Sequence, residues 1–204
     1  MNENKESKFE SINKWLRVLI CIAAVSLINS AVNFLPFVPT SVTTWISRGI
    51  MAVMVICMFQ LAPVNARYQK ASIFRAVMLG CTLITAFLYE SSILTLAASI
   101  LSVLAVYQEY SAHSELMAEK NPKLSRKWHS LFNWSILAAV LIGFGSVVAV
   151  LIVVMLEMDA AGTASIIVGV LSVPQFVINV VYLLYLKKMI QIFRSEGEGE
   201  KHDV

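Results

Sequence analysis

Apolar runs of membrane-spanning length alternate with short polar breaks along the whole chain. The first run covers 15–35 and stops at Pro36 and Pro39, because proline removes a backbone donor and opposes helix continuation. The second covers 42–61 and is closed by Pro63. A short basic loop leads to the third, 72–89, and the fourth begins at 93. The fourth is membrane-like to about 107 and continues as an amphiphilic stretch, QEYSAHSELMAEK, that reads as helix emerging into water. Asn121-Pro122 breaks it, and Ser125 is the expected N-cap of a fifth span over 128–158. The sixth covers 163–193, which leaves a charged tail over 195–204. The pattern predicts an all-α, polytopic six-helix bundle over 15–194, preceded by a polar segment at 1–14.

Charge placement gives this pattern a direction. Fifteen of the sixteen lysines and arginines fall before or at the start of span one, in or just after the loop between spans two and three, between four and five, or at and beyond the end of six. The turns on the other side carry only Glu90, Glu157 and Asp159. Basic residues mark the cytoplasmic side, so both termini are expected there, in a plasma (inner) membrane. Trp15, Tyr68, Tyr107, Tyr110 and Trp128 fall at the basic boundary, with Trp45 and Tyr89 at the other. No small-residue cleavage site follows the first run, so span one is expected to remain as a signal anchor.

Composition narrows the function classes. The chain has 204 residues, of which 58% are hydrophobic and only 14% charged, too few to cover a soluble domain of this size. Six spans use up nearly the whole chain and leave no room for a nucleic-acid-binding or soluble catalytic domain. Cys21, Cys57 and Cys81 all lie in apolar runs without Cys-x-x-Cys spacing, so neither disulfide framework nor zinc site is expected. No Walker motif, dinucleotide loop or nucleophile elbow occurs; the chain is not expected to be an enzyme or to carry a cofactor or metal.

Function must then reside in polar residues inside the spans, where an unpaired polar group costs roughly 1–3 kcal/mol. Gln175, Asn179 and Tyr182 share one face of span six at i, i+4 and i+7, directly after Pro174. That proline deprives the Val170 carbonyl of its helical donor. Two carboxamides beside a freed carbonyl suit a small polar solute. Asn29 and Asn33 stand one turn apart on span one and are expected to meet this face in a mostly neutral cavity. Glu109 and His113 are read as a solvated helix face. On span five, Ser135, Ala139 and Gly143 form a small-residue stripe of the kind that lets helices approach.

Arg48 is the one basic residue outside the basic loops. Fourteen residues, a rise of roughly 22 Å, separate Arg75 from Glu90, against a hydrocarbon core of ~30 Å, so one of those charges is submerged. Glu90 has the shorter reach, and an Arg48–Glu90 pair is expected, with Arg48 also available to anchor a solute.

The expected function is a transporter, a permease-like carrier, or a solute-binding membrane subunit for a small polar solute. In size and topology alone the pattern is similar to small carrier families, including vitamin-binding subunits of energy-coupled importers. The alternative is a non-transporting interaction protein (an immunity, sensor or assembly factor). The expected partners are the lipid bilayer, the solute, and a second copy or a cytoplasmic protein docking on 108–127. A reporter active only outside the membrane, fused after Val204, is expected to stay silent; activity there would refute the six-span topology.

Overall fold

The computed structural model describes residues 3–32, 38–87, 91–155 and 160–199, with side chains over 10–32, 38–87 and 91–148, at Leu151, and over 173–195. All regular structure among them is helical: α1 (Glu3–Val32), α2 (Thr40–Leu61), α3 (Ala66–Phe87), α4 (Ser92–Ala118), α5 (Pro122–Met155) and α6 (Ala160–Gly199). Each contains a stretch long and apolar enough to cross a membrane. Every helix packs on its neighbours in sequence, and α6 closes against α1 to complete a ring.

Local chemistry sets the helix ends. Pro122 opens α5, where its missing N–H is no loss, and Asn121 caps it by accepting from the Leu124 N–H at 2.9 Å. Ser125, the expected cap, instead ties α5 to α4, its hydroxyl 2.8 Å from that of Ser114. The Ser114 hydroxyl also donates to the Ser125 carbonyl at 3.0 Å. Ser91 caps α4, accepting from the Leu94 N–H at 3.4 Å. Pro174 sits within an unbroken α6.

The core lies toward the end of the ring that carries the α2–α3 and α4–α5 turns, called here the basic end. Trp128, Tyr68, Leu16, Leu61, Met117 and Leu186 are fully buried there. The α4 stretch over 109–114, expected to emerge into water, is buried in this core, with His113 at 0% and Glu109 at 1% exposure. Its small residues explain the difference: Ser111, Ala112 and Ser114 let neighbouring helices pack over the charged pair. Of 108–127, Glu115, Ala118, Glu119, Pro122, Lys123, Arg126 and Lys127 remain exposed, and Glu115 is engaged by Asn65 of the α2–α3 turn and by Arg67 at the start of α3.

The outward faces are apolar instead. Ile28, Ile93 and Phe144 are 63%, 79% and 71% exposed, an arrangement that water does not favour over a continuous surface. Stability should therefore concentrate in the basic-end core. Trp128→Ala is expected to cost roughly 3–5 kcal/mol, and Phe144→Ala to stay within about 0.5 kcal/mol. The monodisperse fraction in detergent after heating reads both; equal losses would place the stability elsewhere.

Candidate functional site

A central cavity of about 430 Å³ lies above the core, and all six helices contribute to its wall. Small side chains hollow it out: Ala23 and Ser26 from α1, Ser102 from α4, Ser135 and Ala139 from α5. The α5 stripe thus clears space rather than bringing backbones together. A Cβ added at Gly143 would meet nothing within 4 Å.

Its floor is charged. Arg75 on α3 and Glu109 on α4 each lie nine residues from the basic end of their helix, about 14 Å at 1.5 Å per residue. Antiparallel neighbours therefore bring them to one depth. Arg75 donates through Nη2 to Glu109 Oε2, and the Tyr182 hydroxyl of α6 donates to Glu109 Oε1. One carboxylate thus ties three helices. Both line the cavity, Arg75 at 11% exposure and Glu109 at 1%.

A second layer supports the floor. The Tyr68 hydroxyl lies 2.7 Å from His113 Nδ1, which fixes the ring and turns Nε2 toward Glu109 Oε1 at 3.8 Å. That separation is too long for a hydrogen bond. Trp128 packs 4.6 Å from the His113 ring and edge-on to Tyr182, which stacks on Tyr110. Three buried nitrogens here, His113 Nε2, Arg75 Nε and Trp128 Nε1, have no hydrogen-bond partner.

Gln175, Asn179 and Tyr182, expected to share a face, all line the cavity. Gln175 donates to Asn179 at 3.3 Å. Pro174 does not join them; it lines an apolar groove between α5 and α6. Asn29 is also elsewhere. It is buried against α2, where Nδ2 donates to the Thr43 carbonyl at 3.1 Å and the Ser47 hydroxyl at 2.8 Å. The carboxamide near the end of α1 joins the Thr43 carbonyl and Ser47 hydroxyl, themselves bonded at 2.9 Å, and so staples α1 to α2. Asn33 and Glu90 lie outside the described residues, and with Glu90 the expected Arg48–Glu90 pair. Arg48 stacks over the Trp45 ring, 4.5 Å from its centroid, and does not line the central cavity.

Two readings of charged residues are corrected. Arg75, assigned by sequence to a basic loop, is largely buried inside the bundle. Glu109 and His113, assigned to a solvated face, are buried with it, and Glu109 is its partner. The signal was present: opposite charges at equal distance from adjoining helix ends. No group of three or more His, Cys, Asp or Glu residues able to hold a metal occurs among the described residues.

Comparison with protein-family models, with curated proteins and with solved structures finds no match.

Removing one member of a buried pair strands the other charge. Arg75→Gln and Glu109→Gln should each cost roughly 3–5 kcal/mol. The double variant is expected to recover most of that loss, because two neutral amides can bond each other and Tyr182. Melting curves in detergent test this; a double variant no more stable than the weaker single would mean the two residues are not coupled.

Proposed function

We propose that this chain is a multi-pass integral membrane protein, with both termini cytoplasmic, that binds a small polar solute in its central cavity as a carrier or as the membrane subunit of one. The observation that carries this reading is the participation of all six helices in one polar-lined cavity. A bundle built only to present a surface gains nothing from a hollow centre, which forfeits dispersion contacts on every lining residue. Lipid is the solvent that suits the outward Ile, Phe and Val side chains, and the one-sided distribution of lysine and arginine supports the orientation.

The cavity is asymmetric in a way that suits transport. Bulky side chains plug the bundle toward the basic end: Trp128, Tyr68, Leu61 and Leu186 are fully buried. Small ones surround the cavity above them. With the basic end cytoplasmic, the plug separates the solute site from the cytoplasm, as one conformation of an alternating-access cycle requires. Gln175 and Asn179 supply neutral donors and acceptors on the wall, and Tyr182 links that wall to the charged floor.

Cysteine accessibility tests the reading. In a background with Cys21, Cys57 and Cys81 replaced by alanine, Ser102→Cys is expected to react with a water-soluble, membrane-impermeant thiosulfonate in reconstituted vesicles. Leu186→Cys, in the plug, should remain unmodified. A Ser102→Cys protein as inert as the Leu186→Cys control would show that water does not reach the cavity, and the carrier reading would fall.

A further inference from the structure

The donor and acceptor inventory of the cavity floor is unbalanced, and the imbalance points to the chemistry of the guest. Glu109 has a partner on each oxygen. One oxygen accepts from Tyr182, the other from Arg75, and the carboxylate is almost wholly buried. Arg75 is not. A guanidinium carries five N–H donors in a planar fork that matches a carboxylate two at a time. Glu109, dividing its oxygens between two partners, engages Arg75 through Nη2 alone. Nε of the same fork is buried with no partner. Arg75, on the cavity lining, is therefore an under-coordinated cation beside a carboxylate that already has a partner on each oxygen.

Glu109 also has an alternative partner. His113 Nε2 faces Oε1 at 3.8 Å and is itself unpartnered. A shift of about 1 Å would close that gap to hydrogen-bond length. The imidazole is pre-aimed, because Tyr68 holds Nδ1 and Trp128 packs against the ring. Around this pair, α2 places Cys57 within electrostatic reach of Glu109, α3 brings Tyr68 and Arg75, α4 adds Tyr110, α5 Trp128, and α6 Tyr182. α1 brings the apolar Leu16 and Leu19 into the same core.

We infer that the solute is a small carboxylate that replaces Glu109 on the Arg75 fork while Glu109 moves to His113, and that one proton is bound with it. The proton follows from charge balance. The empty floor is neutral, one guanidinium against one carboxylate. A second carboxylate would leave a net negative charge in a low-dielectric interior, which is costly. One proton taken from water by the coupled Glu109–His113 pair restores neutrality. The only bond formed is the N–H or O–H made by the proton that solvent gives up, and a carboxylate and a proton enter together. Gln175 and Asn179, above the floor, read the remainder of the solute.

This inference rests on the cavity being a solute site, and the tests separate the two. The full-length protein in detergent is titrated with lactate and benzoate, and with lactamide and benzamide as uncharged counterparts of the same shape. At least one acid is expected to bind and raise the melting temperature, with its amide ineffective. Both acids are fully ionised from pH 6 to 8, so any pH dependence belongs to the protein. Linkage of one proton weakens binding by up to about tenfold per pH unit as pH rises through this range. In weak buffer, a pH indicator should report about one proton taken up per carboxylate bound, on the unmodified protein and so free of folding artefacts. His113→Gln is expected to keep carboxylate selectivity and lose the pH dependence. Amides binding as well as acids, no acid binding, or acid binding without proton uptake would each overturn the inference. With Ser102→Cys still reactive, such a result would leave the carrier reading standing.

Discussion

The buried contact between Arg75 and Glu109 constrains everything around it. Each charge costs several kcal/mol to remove from water, and only close pairing with further hydrogen bonds offsets that cost. The two residues must therefore stay at one depth, which fixes the register of α3 against α4. Tyr182 must reach the same carboxylate, which fixes α6. The ring closes because α6 also packs on α1. A slide of α4 by one turn, about 5.4 Å, would strand both charges. Apolar contacts alone tolerate such slides far better, since one Leu or Val row substitutes for another.

Side-chain volume then divides the interior along the bundle axis. Below the pair stand Trp128, Tyr68, Met58, Met189 and Phe193; above it stand Ala23, Ser26, Ser102, Ser135 and Ala139. The first set fills the space between six helices, and the second cannot. The same helices thus form a plug in one half and a cavity in the other without any break in secondary structure. Polar staples join neighbouring helices in both halves: Asn29 bonds α2, and below the pair the Ser72 hydroxyl donates to the Val55 carbonyl at 3.0 Å.

Much of this was legible in the sequence. The six helices followed from apolar run length and proline placement, and the Gln175–Asn179–Tyr182 face from helical spacing. The floor was not legible, for a physical reason. Periodicity shows which residues share a face of one helix, but not which faces of two helices meet. Glu109 and His113, at i and i+4 in a polar stretch, look identical whether they face water or an arginine from another helix. Depth was the missing coordinate. Counting residues from adjoining helix ends would have placed Arg75 and Glu109 opposite each other. Asn29 was misplaced for a different reason: spacing grouped it with Asn33 on one face, whereas its carboxamide bonds α2 and does not line the central cavity.

Why an ion pair stands at the floor at all bears on its role. Two apolar residues of similar volume would close the same gap without the desolvation cost, and such replacements in other buried pairs are often neutral or stabilising. The surrounding geometry is also not that of a pair tuned for stability. Arg75 uses one donor toward Glu109, its Nε is unmet, and His113 Nε2 waits 3.8 Å away. A purely structural pair gains most when both forks are filled, because every buried unmet donor subtracts from the balance. An exchangeable pair needs the reverse: an occupied arrangement that holds the bundle together, and spare donors that accept a second arrangement at similar free energy. The floor of this cavity holds the bundle together through one carboxylate and keeps two nitrogens unpartnered beside it, where the wall is hollow and Arg75 lines the space.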